Sequence, residues 1–178
     1  MDTQDIDRLL ADQRRYFLSG ATLPVEFRVR MLRKLRDAVR KYESEIGAAL
    51  TADLGKSDYE GFMCETGLVL TELSYMIRHT PRLARKRRVP TPMAQFAASS
   101  WQQPCPYGNV LIMSPWNYPL LLTLDPLTDA IAAGNTAIVK PSAYSPATSE
   151  VIQKLIAECF PPEYVAVVTG GRAENAAL

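Results

Sequence analysis

The segment Ser114-Pro115-Trp116-Asn117-Tyr118-Pro119 places a side-chain amide between two prolines, which fix the backbone around it. An amide donates hydrogen bonds without titrating, so it can hold an oxyanion while a site passes through several protonation states. The plainer alternative, that Asn117 caps the helix after it, weighs more on composition alone. Further on, Lys140-Pro141-Ser142 sets a cation and a hydroxyl where the ribose or phosphate of a dinucleotide could lie. By itself this is a weak signal, because most surface lysines are simply solvated. No GxGxxG follows Met113, so the ordinary phosphate fingerprint is absent.

These residues do chemistry only if they gather at one edge of a sheet. Asn109–Met113, Ala137–Val139 and Tyr164–Val168 are short apolar runs bounded by Gly, Pro or polar residues, as expected of strands buried on both faces. Leu120–Ala133 and Ser149–Cys159 are helical in period, and Gly134-Asn135 turns the chain between the first of these helices and the second strand. Strand, helix, strand, helix, strand is the first half of a doubly wound, Rossmann-like parallel sheet, with right-handed crossovers giving strand order 3-2-1. Ligands of such sheets bind beyond the carboxyl ends of the strands, which is where Ser114–Asn117, Lys140–Ser142 and Gly170-Gly171 fall. The first strand is left with an unpaired edge and the faces lack covering helices, so the α/β domain reads as truncated.

The first eighty positions read as three helices. Leu9, Leu10 and Phe17 mark one, closed by Gly20. Phe27, Met31, Leu32, Leu35, Val39, Tyr42, Ile46 and Leu50 give a single long second helix, from Pro24 to Gly55. Ser57 and Glu60 have capping-box spacing, and a third helix from there stops at Pro81. The expected division is residues 1–81 as a helical region, 82–106 as a linker with an extended arm or edge strand at Gln95–Trp101, and 107–178 as a partial dinucleotide-binding domain.

Hydrophobic residues make up 47% of the 178 and charged residues 22%, which is globular usage. Twenty Lys and Arg against 19 Asp and Glu, net +1, supply no field for nucleic acid or an anionic membrane. The basic cluster Arg82, Arg85, Lys86, Arg87, Arg88 lacks interleaved aromatics and reads as a solvated helix end. The N-terminus is acidic and no apolar run reaches membrane-span length, so a soluble cytoplasmic protein is expected. Cys64, Cys105 and Cys159 are odd in number and widely spaced, which indicates neither a metal site nor a disulfide framework. His79 sits at a helix end, where a cation complements the dipole.

Taken in order and spacing, Pro106-Tyr107-Gly108-Asn109-Val110, Pro115-Trp116-Asn117-Tyr118-Pro119, Ala130-Ile131-Ala132-Ala133-Gly134-Asn135-Thr136 and Lys140-Pro141-Ser142 resemble consecutive motifs of the aldehyde dehydrogenase superfamily. Asp53-Leu54-Gly55-Lys56 and Tyr75-Met76-Ile77 resemble landmarks of its class 3 branch, so the likeness covers the chain from about Leu9 onward. It implies oxidation of aldehydes with NAD or NADP, through a thiohemiacetal on a cysteine. Asn117 would hold the substrate oxygen, the backbone of Ser114, Pro115 and Trp116 would face the nicotinamide, Lys140 and Ser142 would meet the adenosine ribose, and Gly170 and Gly171 would approach the adenine. Ala143 stands where many relatives carry a glutamate that would repel the extra phosphate of NADP, so both cofactors are expected. The family's cysteine, glutamate base and pyrophosphate glycines fall after the third strand, beyond Leu178. The expected partners are therefore an aldehyde and the remaining C-terminal portion, in a homodimer when complete, with the isolated chain inactive. The alternative is a non-catalytic dinucleotide-binding or assembly module.

Overall fold

The computed structural model describes residues 3–178. Helix α1 (Thr3–Leu18) ends just before Gly20, whose φ of 76 is open to a residue without a Cβ. The apolar period over Phe27–Leu50 is unbroken, yet the single helix expected there is two: α2 (Val25–Lys41) and α3 (Glu43–Leu54). Tyr42 leaves helical dihedrals at φ −92, ψ 6, and its hydroxyl and the Lys41 ammonium both donate to Glu158 at 2.8 and 2.7 Å. Tertiary contact overrides local period here: the break turns α3 onto a later helix while α2 keeps its own partners.

Ser57 accepts from Glu60 N at 3.2 Å, opening the short α4 (Asp58–Gly61). A π-turn (Phe62–Thr66) follows, and the chain then continues as α5 (Gly67–Leu83). Pro81 lies inside α5 rather than ending it; in a final turn the missing N–H costs one bond, and Ala84 N still reaches Thr80 O at 2.9 Å. The arm is a hairpin of β1 (Arg87–Val89) with β2 (Ser100–Gln102), antiparallel. The strand expected over Gln95–Trp101 is confined to its end, because Met93–Gln95 forms a 3₁₀ turn.

The parallel sheet has the expected order: β3 (Asn109–Met113), β4 (Thr136–Lys140) and β5 (Val165–Val167), with β4 central and Met113 level with Lys140. Helices α6 (Leu121–Ala133) and α7 (Pro146–Cys159) make the crossovers, and α8 (Arg172–Ala177) follows β5. Along β4, Ala137 and Val139 face one core with α2, α6 and α7, whereas Ile138 meets Ile6 of α1, the two-residue alternation of a strand. The opposite face is therefore covered, by α1, which corrects the expectation of missing helices. Buried Gln13 fixes α1 there, donating to Ala137 O at 2.9 Å and Pro162 O at 3.0 Å. The open edge of β3 is as expected, with Leu111 and Met113 exposed.

Gly134 closes α6 at φ 94, and a Cβ there would lie 2.7 Å from the Arg28 guanidinium carbon. Arg28 fills that corner, donating to Thr22, Leu23 and Ala132 carbonyls. No helix among the described residues is long and apolar enough to cross a membrane.

Candidate active site at the strand ends

The carboxyl ends of β3, β4 and β5 open on one cleft. It is lined by Ser114, Lys140, Ser142, Gly170 and Gly171, together with Met113, Ala143, Tyr144, Arg172 and Asn175. Its volume of about 170 Å³ is below the ~300–1,000 Å³ of sites that enclose a whole drug-sized ligand. It can enclose only part of a ligand of that size.

Lys140 is buried and bridges two strand ends, its ammonium donating to Pro141 O at 3.0 Å and Gly170 O at 2.8 Å. Burial holds its pKa below the ordinary lysine value, partly offset by Glu174. An ammonium has three donors, so one remains beyond these two carbonyls. Ser142 Oγ accepts from Tyr144 N, and its carbonyl from Ser149 Oγ, which fixes the turn into α7. At the third strand end, Gly170 takes φ 141, and a Cβ would fall 2.3 Å from the Glu174 carboxyl carbon. That carboxylate accepts from Gly171 N at 2.7 Å. Bonds from its own amide and from that of Gly171 hold its pKa down.

Pro115, Trp116 and Asn117 are not in the cleft wall; they form the exposed loop beside it, after β3. The Ser114 hydroxyl turns the other way and pairs with Thr123 Oγ1 at 2.6 Å. Asn117 does not cap α6. That helix begins after Leu120 with no side-chain cap of its own, and its first amides, Leu120 N and Leu121 N, donate to Glu65 Oε2 at 2.8 and 3.2 Å. Glu65 Oε1 in turn accepts from Lys56 at 2.6 Å, and the same ammonium donates to the Asn117 carbonyl at 3.1 Å. It also lies 4.1 Å from the centre of the Tyr118 ring. Among the described residues the Asn117 side-chain amide has no hydrogen-bond partner, while its backbone is held.

A second carboxylate does the same for α7. Asp53 accepts from Ala147 N at 3.1 Å and from Thr148 N and Oγ1 at 2.7 Å. Reasoning from sequence missed Lys56, Glu65, Asp53 and Arg172 as parts of the site. One signal was present: Pro119-Leu120-Leu121 offers no capping residue of its own, so an acceptor had to come from elsewhere.

None of the three cysteines lines the cleft. Cys105 is exposed, Cys64 half-buried, and Cys159 buried with its thiol pushed up to about 11, chiefly by desolvation, so it is no thiolate near neutrality. His79 stacks on Tyr75 at 4.0 Å and bonds its carbonyl at 2.7 Å; because α5 continues through Pro81 to Leu83, it lies before the last turn and not at the helix end expected, where Arg82 stands instead.

The family model for the aldehyde dehydrogenase family matches residues 1–178. The chain is 39% identical over 173 residues to a 4,4'-diaponeurosporen-aldehyde dehydrogenase of Staphylococcus aureus, covering 97% of this chain and 38% of that protein. It is 38% identical to mouse aldehyde dehydrogenase family 3 member A2, covering 97% and 36%. It is also similar to a dog protein named aldehyde dehydrogenase, dimeric NADP-preferring, at 35% identity, covering 97% and 38%. The substrate-bound structure of Staphylococcus aureus AldH superposes with a TM-score of 0.91 at 39% identity, over 93% of this chain and 36% of that one. The chain thus spans a little over a third of the length of the curated relatives it matches.

Proposed function

The chain belongs to the aldehyde dehydrogenase family, and from that premise we propose that it forms the N-terminal part of an NAD(P)-dependent enzyme that oxidises aldehydes to carboxylic acids. The observation that carries this reading is the Asn117 amide: exposed, unengaged, and mounted on a loop whose backbone is fixed from both sides. An amide consumed by capping could not serve a substrate, and here Glu65 has taken that task. Asn117 supplies a preorganised donor to the aldehyde oxygen as it gains negative charge.

The cleft residues fit an adenosine end. Lys140 has a donor to spare for ribose hydroxyls, Ser142 stands beside it, and the Gly170-Gly171 backbone lines the same cleft. The backbone of Ser114, Pro115 and Trp116, at the end of the edge strand, serves the nicotinamide side. When bound, the cofactor accepts hydride from the substrate adduct. The cysteine that forms the thiohemiacetal and the glutamate that activates water are contributed from outside residues 1–178. The assembly expected for the whole protein is a homodimer, in line with the name of the dog relative.

Ala143 lines the cleft with Arg172, and the Glu174 carboxylate at the third strand end is already tied to Gly171 N, so a ribose phosphate beside Ala143 meets a cation and no glutamate at that position. Both NAD and NADP are therefore expected as substrates, and steady-state kinetics showing a strong preference for NAD would refute it. The direct test of the main reading is Asn117→Ala in the complete enzyme. Turnover should fall by about 10²–10³ with cofactor affinity nearly unchanged; near-normal turnover would remove Asn117 from the chemistry.

A further inference from the structure

We infer that Lys56 and Glu65 are positioning residues for Asn117, a buried ion pair whose task is to set the loop that presents the oxyanion donor. This rests on the proposed role of Asn117. The pair is deeply placed: the Lys56 side chain is 9% exposed and that of Glu65 0%. Burying two opposite charges is seldom a gain over an apolar pair, because desolvation offsets most of the attraction. A buried pair calls for an account of what its remaining donors and acceptors hold.

Here they hold a single segment. Lys56 takes the carbonyl of Asn117 and covers the ring of Tyr118. Glu65 takes the amides of Leu120 and Leu121. Four of the five residues from Asn117 to Leu121 are gripped by two side chains from 55 to 62 positions earlier. What the grip leaves free is the Asn117 amide.

Local backbone brings the two charges together. Gly55 ends α3 in the left-handed region at φ 67 and turns the chain back, while Thr51 Oγ1 holds the Lys56 carbonyl at 2.7 Å. Glu65 lies in the π-turn, where Gly67 N reaches Phe62 O. A Cβ on Gly67 would sit 2.9 Å from that same oxygen, so the turn needs glycine. π-turns inside helices cost regular bonding and recur at functional sites.

The test uses the complete enzyme. Lys56→Met alone strands a buried carboxylate and risks misfolding, so the informative variant is the pair K56M/E65Q. It removes both charges, and the carboxamide that replaces the Glu65 carboxylate keeps an acceptor oxygen for α6. Activity is normalised to titrated active sites. Loss of positioning of about 1 Å can cost ~10² in rate, so kcat should fall about 10²-fold while cofactor affinity, read by fluorescence titration, stays put. Combined with N117A, the pair should add no further loss, because its effect passes through that amide.

Wild-type kcat in K56M/E65Q, with N117A crippled, overturns the positioning role and leaves the role of Asn117 standing. So does a triple variant whose loss is the product of the two. Wild-type kcat in N117A itself overturns both readings at once.

Discussion

Helices α6 and α7 take their N-terminal acceptors from Glu65 and Asp53, 55 and 94 residues away, whereas α8 takes its own from Glu174, three residues from Gly171. All three helices start at the carboxyl end of a strand and all three have amides to satisfy. The difference lies in what each cap is anchored to. Glu65 is fully buried and Asp53, half-buried, belongs to α3 of the helical layer, while Glu174, equally half-buried, belongs to the short helix that it caps. A distant cap makes the placement of a strand end depend on the whole helical layer; a local cap leaves it free to adjust. The turn carrying Asn117 and the turn after Lys140 are of the first kind, and the Gly170-Gly171 turn is of the second.

The contrast is most open to attack at Glu65. Glu65→Ala strips two amides and leaves the Lys56 charge buried without its partner, so stability should drop by about 3–5 kcal/mol, read as a shift of the urea midpoint. A loss below about 1 kcal/mol would mean that the pair behaves like a surface bridge, and the contrast between anchored and local caps would fail.

Asp53→Ala should cost less, about 1–2 kcal/mol, because no buried charge is stranded, and Asp53→Asn should recover most of it by keeping an acceptor. Equal losses in the Ala and Asn variants would show that the charge, and not the capping bond, is what α7 uses.

The smallest effect sharpens the comparison from the other side. Asp125, one turn into α6, has a buried oxygen with no hydrogen-bond partner among the described residues. Burial first, then Glu72 and Asp129, push its pKa from 3.8 up to about 6. With the folded value above the unfolded one, the folded protein keeps its proton longer, so stability is lost as pH rises through the interval between those values. Asp125→Asn should therefore melt above wild type at about pH 7.5 and match it near pH ~3.5. The gain is modest because water screens a half-buried carboxyl. An equal gain at both pH values would show that the carboxylate charge is not the cause.

Sequence reasoning placed β3 over Asn109–Met113 to the residue, and α6 within one. Short apolar runs bounded by glycine and proline leave a buried strand few alternatives. It placed the cleft residues at the strand ends because topology sends them there. The break at Tyr42 was invisible, since neither Gly nor Pro marks it and the bond to Glu158 spans 116 positions. Gln13 was equally silent: a polar side chain on an amphipathic helix reads as solvated, yet it is buried against β4. Glu65 was hidden for the same reason. A glutamate in a helical stretch looks exposed until the partner loop, far along the chain, is in view. Lys56 fell within a segment singled out by its likeness to relatives, but its task is set by contacts that local pattern does not encode.

The π-turn between α4 and α5 gives the region an arithmetic of its own. A π-turn closes its hydrogen-bonded ring through one residue more than an α-turn, so excising a single residue from Phe62–Thr66 would restore α-helical winding and leave α4 near its present direction relative to α5, while removing the wide turn in which Glu65 sits. A single-residue deletion here should therefore keep the helix and lose the seat of that carboxylate.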